Sequence, residues 1–317
     1  MSPADAPGIA RLDAQLNVKF NLCPTTQEIQ LPLSTLPFLK SGQTEKTGRS
    51  RWAGGLSINA YGVRIGVRTN SARALKLIPA CLPLGWKLAA SPAVDRLYSV
   101  VMRTGSRAGA NSFHRLYENE VEIARAEDTG TLFDRLESSL RLYVAEMSSQ
   151  RVFVHAGVVG WANRAIIMPA RSLGGKSTLT AEFIRAGAIY YSDEYAVLDS
   201  RGRVHPYAKP ISIRQDEDYS QTDYPVESFG GVAGKRPLPV GLVILTSYKK
   251  GARWRPAKLS AGQGVLAILD HTVSARRHPD RALNTLSEVV AQARVLRSVR
   301  GEAHEMVKSV LAGLESL

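Results

Sequence analysis

The chain has 317 residues, of which 44% are hydrophobic and 22% charged, with a formal net charge of +13. Its mean hydropathy of −0.12 suits a water-exposed globular protein with a real core, and its length allows two domains. No apolar run reaches the roughly 18 residues a membrane span needs. The first residues, MSPADAPGIARLDAQL, lack the charged start and apolar stretch of a secretory signal. The expected location is cytoplasmic, with no membrane partner. Two cysteines, Cys23 and Cys81, sit in no metal-type spacing and read as reduced thiols. The positive charge favours acidic partners, but the arginines are scattered from Arg11 to Arg300 and no base-reading motif accompanies them. Nucleic-acid binding is therefore the least favoured reading; it would show as affinity that falls steeply with salt.

In chain order, residues 1–35 alternate loosely and predict short strands. Ser41 to Gly55 is polar and glycine-rich, a loop. Leu56 to Thr69 alternates again around Gly62 and Gly66, predicting a hairpin or a bent strand pair. Ala72 to Leu77 predicts a short helix ended by prolines, Arg96 to Arg103 a strand, and Arg103 to Asn111 a turn-rich break. Leu132, Leu136, Leu140, Val144 and Met147 are spaced for an amphipathic helix. A second unit begins near residue 149. Val152 to Val159 and Ala165 to Met168 predict strands, Lys176 to about Ala186 a helix, and Ala188 to Tyr191 and Tyr195 to Leu198 further strands. Val240 to Thr246 predicts a central strand, Ser260 to Leu269 and Arg281 to Ala291 helices, Val295 to Val299 an edge strand, and Glu302 to Leu317 a closing helix.

Between the second strand of this unit and its first helix lies ARSLGGKST, Ala170 to Thr178. A phosphate-binding loop of pattern GxxxxGK[ST] turns on glycines and aims backbone amides at phosphate oxygens. Its lysine neutralises terminal phosphates and its hydroxyl reaches magnesium. Here Ala170 replaces the first glycine, and Arg171, Ser172, Leu173, Gly174, Gly175, Lys176 and Ser177 fit. The strand–loop–helix order is the required setting, and the helix start adds partial positive charge. Downstream, Asp193 and Glu194 end an apolar strand, where two carboxylates can orient a metal ion and accept a proton from a nucleophile. His155, alone in the strand VFVHAGVV, reads by itself as a core histidine.

Together VFVHAGVV, AIIMPARSLGGKST, LTAEFIRAG and AIYYSDEYAVLD resemble the catalytic domain of HPr kinase/phosphorylase in order and spacing. The likeness is greater to the HPr kinase-related kinases, a branch that includes lasso-peptide precursor kinases. That branch has Ser-Asp-Glu at the acidic position and a segment similar to HPYAKPISIR, His205 to Arg214. The resemblance covers about residues 150–215. It implies an α/β fold: a P-loop catalytic domain of HPr kinase type, a mixed twisted sheet with flanking helices, over 149–317. A smaller α+β domain, assigned by its position to substrate recognition, would precede it over 1–148.

The resemblance also implies ATP and Mg2+ as nucleotide and cofactor. Lys176 would contact the β- and γ-phosphates. Ser177 with Glu194 would hold magnesium. Asp193 would be the base, with His155 beside it, and Arg214 would match a family arginine. The family's glutamate and glycine near that arginine are Ser212 and Gln215 here. No arginine-rich docking loop is present; Asp223 to Arg236 stands in its place as a shorter, mobile substrate loop. HPr as substrate and phosphorolysis are therefore not carried over. The implied activity is transfer of the γ-phosphoryl group to a hydroxyl, a serine first, on a peptide, protein or small molecule. The alternatives are a non-catalytic nucleotide-binding regulatory module and a small-molecule kinase. The parent family is hexameric, which allows a homo-oligomer, but no residue fixes a symmetry.

Overall fold

The computed structural model describes residues 52–103, 113–170, 175–214 and 221–315. The strands expected within 1–35, the loop up to residue 51, Cys23, most of the break after Arg103, and Arg171 to Gly174 lie outside the described residues.

The first half is a six-stranded sheet in the order β3-β1-β2-β4-β5-β6. Strands β1 (Gly54–Ala60) and β2 (Val63–Thr69) form the expected hairpin. Tyr61 and Gly62, both at positive φ, make its turn, the backbone that a tight two-residue hairpin requires. Helix α1 (Ala72–Leu77) starts at Ser71, whose side chain accepts the Ala74 N–H. Strand β3 (Lys87–Leu88) is two residues long, and β4 (Arg96–Val101) runs parallel to β2. The alternation did not mark β5 (His114–Glu118) and β6 (Val121–Ala126), an antiparallel pair. Helix α2 (Thr129–Met147) begins three residues before its first apolar position, because Asp128 caps the Thr131 N–H at 2.8 Å. Its apolar stripe, with Leu132, Leu136 and Leu140, packs into a core that also takes Phe153, Tyr195 and Tyr207 from the second half.

The second half is an eight-stranded mixed sheet, with β7 (Val152–Trp161) and β8 (Arg164–Pro169) as a central hairpin. Helix α3 (Lys176–Arg185) follows and ends before Gly187, whose φ of 96° stops it. Strands β9 (Ile189–Ser192) and β10 (Tyr195–Leu198) both pair with β7, and β11 (Arg203–His205) pairs with β10 and with β14. Strands β12 (Ile211–Arg214) and β13 (Gln221–Tyr224) form a separate ribbon. Strand β14 (Leu238–Tyr248) is parallel to β8 and to β16 (Arg294–Arg300). The expected edge position of β16 is corrected: β15 (Ala257–Lys258) pairs with its far side, at Leu296 and Arg297.

Helices α4 (Ala261–Leu269) and α5 (Pro279–Gln292) bury Ile268, Leu286 and Val289 in one apolar cluster of this sheet. In another, α6 (Ala303–Glu315) joins Met306 and Val310 to Leu179 and Phe183 of α3. The architecture is mixed α/β, and no helix among the described residues is long and apolar enough to cross a membrane. The segment Asp223 to Arg236, expected as a mobile substrate loop, is anchored at a few points. Val226 is buried, Gly231 sits against Ile184, and the Tyr191 hydroxyl donates to the Arg236 carbonyl at 2.8 Å.

Candidate functional site

Gly175 caps α3 with φ 76°, a left-handed conformation that favours glycine. No side chain caps the first turn, and no acidic residue lies in it. The helix start thus keeps the partial positive charge that suits an anion. Lys176 is 8% exposed, its Nζ donating to the Ala170 carbonyl at 3.2 Å. That contact ties the end of β8 to the start of α3. The structure thus places Ala170, Gly175, Lys176, Ser177 and Thr178 around one turn; the intervening loop residues are outside the described set.

The carboxylates arise from a break in a ladder. On β7, His155 pairs with Tyr195 of β10, and Val158 pairs with Ser192 of β9. Asp193 and Glu194 fall in the gap between the two strands, and the Ala156 N–H bonds the Glu194 carbonyl at 3.0 Å. At this break the Asp193 side chain faces Ser177 at the start of α3, and that of Glu194 faces Arg141 on α2. Asp193 is 9% exposed. Its Oδ2 accepts the Ser177 hydroxyl at 3.1 Å and the Ser212 N–H at 3.1 Å, and its Oδ1 accepts the Tyr190 hydroxyl at 3.1 Å. Burial raises its pKa to about 6; the Ser212 N–H bond lowers it and the neighbouring Glu194 raises it further. Burial wins because three neutral donors only partly replace water around the charge.

Glu194 has a different partner. Its Oε1 accepts Arg141 Nε at 2.8 Å, and Arg141 also pairs with Glu137 at 2.9 Å. Glu137 is shared with Lys209. Burial disfavours the Arg141 charge, but Glu194 and then Glu137 outweigh it, so its pKa is raised. The Ser177 hydroxyl, expected to hold magnesium together with Glu194, donates to Asp193. His155 lines the same cleft. Its pKa falls to about 4 through burial, then the Lys176 charge, then His271, so the ring is neutral near pH 7. Arg214 lies in β12. Among the described residues, no group of three or more His, Cys, Asp or Glu is arranged to hold a metal ion.

His155, Lys176, Ser177, Asp193 and Glu194 line a cleft of about 630 Å3 with Asp134, Glu137, Ser138, Arg141, Lys209, Ser212 and Asp223. Four of them stand on α2, in the first half of the chain. Sequence reasoning missed them, although Asp134, Glu137, Ser138 and Arg141 follow helical spacing beside the apolar stripe. Replacing Arg141 with Met leaves Glu137 and Glu194 close together without their shared cation. Arg141 and Glu194 are 16% and 24% exposed, which reduces the penalty of a fully buried pair. The expected loss is about 2 kcal/mol, or a thermal midpoint lower by about 5 °C. Thermal melts of both proteins at pH 7 check it, and Arg141→Lys should recover part of the loss.

No protein-family model and no curated protein matches the chain. Among solved structures it is similar to an Hpr(Ser) kinase/phosphatase from Coxiella burnetii, at 15% identity and a TM-score of 0.31. The match covers 51% of this chain and 98% of that one. A likeness of that degree carries no weight for activity. Lys176, Ser177 and Asp193 line one cleft at the start of α3.

Proposed function

We propose that this chain is an ATP-dependent kinase that transfers the γ-phosphoryl group to a hydroxyl, a serine first, of a peptide, protein or small molecule. The observation that carries the reading is Asp193: a buried carboxylate with a pKa of about 6, 3.1 Å from the hydroxyl that follows the loop lysine. A base titrating just below neutral pH is ionised in use yet still basic enough to take a proton.

In this reading the amides at the start of α3 and the Lys176 ammonium hold the β- and γ-phosphates. Asp193 takes the proton of the acceptor hydroxyl. The acceptor oxygen bonds to the γ-phosphorus as the bond from that phosphorus to the bridging oxygen breaks, and ADP leaves. His155, neutral at the cleft wall, adds no charge that would compete for the phosphate. Hard oxygen donors suit magnesium, which takes one or two carboxylates together with phosphate oxygens. Ser177 offers its hydroxyl and Glu194 the carboxylate oxygen that does not bond Arg141, so the residues present fit that ion. When bound, it would neutralise charge developing on the phosphates.

The pH dependence follows from the two shifted groups. Below about pH 6 Asp193 is protonated and cannot act as base; above it the carboxylate is available. His155 changes charge only near 4 and adds no limb in that range. Transfer measured as kcat/KM should rise through about pH 6 to a plateau, and His155→Gln should keep the inflection. A flat profile between pH 5 and 8 would remove Asp193 from the role.

The activity itself is tested with γ-labelled ATP, magnesium, the full chain and an extract of cells that carry it. Label in a protein or peptide band supports the proposal, and label in the low-mass fraction assigns a small-molecule acceptor. Tight ATP binding with no label and no ATP loss overturns transfer and leaves a regulatory nucleotide-binding module.

A further inference from the structure

Arg300 ends β16 and is 4% exposed. Its Nη1 donates to the Gly301 carbonyl at 3.0 Å, and its Nε has no hydrogen-bond partner. The ring of Tyr248 lies 5.4 Å from the guanidinium. Glu302 is near enough to act on its charge, but that carboxylate accepts the Tyr248 hydroxyl at 3.1 Å. No ion pair of Arg300 forms among the described residues. A buried guanidinium with one carbonyl bond and an orphaned donor is costly, and an incoming anion would relieve it.

The position of that guanidinium narrows the choice of anion. Its Nη2 lies 2.5 Å from where a Cβ on Gly175 would stand, so the glycine that caps α3 is what lets it approach. The loop it touches, Ala170 to Thr178, contains no acidic residue that could serve as its partner. Arg300 also lines a second cleft, of about 1110 Å3, together with Thr246, Tyr248 and Val299. Gly175 and Thr178 belong to both clefts, so the two meet at the start of α3. Asp193 lines one and Arg300 the other.

We propose that Arg300 is a phosphate-binding residue of this loop and that the cleft beyond it holds the nucleoside end of the triphosphate whose terminal phosphate faces Asp193. This rests on the phosphate-loop reading above. A triphosphate with its reacting end beside the base must lead its other end away from it. The only cleft among those described that shares the loop without carrying Asp193 is the one walled by Arg300, Tyr248 and Val299. The guanidinium fork takes two phosphate oxygens where Lys176 supplies a point charge.

The test is calorimetric titration of the full chain with inorganic tripolyphosphate, with ATP and with adenosine, each with magnesium. Arg300→Met should weaken tripolyphosphate and ATP binding by about 10- to 100-fold and adenosine binding by much less. Arg300→Lys should fall between the two. If Lys176→Met loses tripolyphosphate while Arg300→Met binds it as the unmutated chain does, the Arg300 assignment is overturned and the loop reading stands. If the unmutated chain binds no polyphosphate, both fall. Should Arg300→Met lose its cooperative melt, the arginine Nε–Hε NMR signal missing from Arg300→Lys is followed in the unmutated chain. A shift on adding tripolyphosphate supports the contact, and an unmoved signal overturns it.

Discussion

Replacing Lys176 with Met should lower phosphoryl transfer by at least about 10³-fold and weaken nucleotide binding with it. The residue is 8% exposed, and its ammonium donates to the Ala170 carbonyl. In such a site, shielded from water, a fixed positive charge acts on phosphate oxygens far more strongly than it would in solvent. Phosphoryl transfer asks little covalent chemistry of the protein, so a lost cation translates almost directly into lost rate, on the order of several kcal/mol. Because Met fills a similar volume, the fold should survive, which a thermal melt confirms. Steady-state transfer and ATP titration on the variant then read the two effects separately. Transfer within tenfold of the unmutated chain would remove Lys176 from the site.

Asp193→Asn should separate binding from chemistry. The amide keeps the size of the side chain and an oxygen that can accept from Tyr190 or Ser177, but it cannot take a proton. Positioned general bases contribute about 10²–10⁴-fold, and the expected loss of transfer falls in that range or beyond it. ATP binding should be retained, because in the proposed site Lys176 and the start of α3 would hold the phosphates. The buried negative charge of Asp193 faces the same cleft, so its removal can strengthen nucleotide affinity slightly. Parallel measurement of kcat and of ATP affinity makes the distinction. An Asn variant with full transfer would show that the base is another group.

Much of the second half could be read from the sequence because its elements are long or sharply bounded. The apolar runs of β7, β8 and β14 and the Gly-Gly-Lys-Ser entry to α3 carry their own signals. The β5–β6 pair did not, since HRLYENEVEIARA mixes charge into both faces and β6 leaves Val121 and Ile123 exposed. The placement of β16 failed for a related reason. Its alternating RVLRSVR suggests a solvated edge, and β15 covers it at only two residues.

At the site, Lys176, Ser177 and Asp193 were legible from spacing and from the apolar strand before the acidic pair. The pairing of Glu194 with Arg141 was not, because the two are 53 residues apart and α2 reaches the cleft only through tertiary packing. Arg300 was equally hidden. In a chain with 41 lysines and arginines, nothing in the sequence separates a buried strand-end arginine from its solvated neighbours.

The central claim is that Ala170 to Thr178 and Asp193 form one phosphoryl-transfer site. An experimental structure with magnesium and a non-hydrolysable ATP analogue tests it most directly. The account places the γ-phosphate within about 4 Å of both the Lys176 ammonium and the Asp193 carboxylate, near in-line reach of an acceptor in the same cleft. A nucleotide bound elsewhere, or one whose terminal phosphate points away from Asp193, would contradict it.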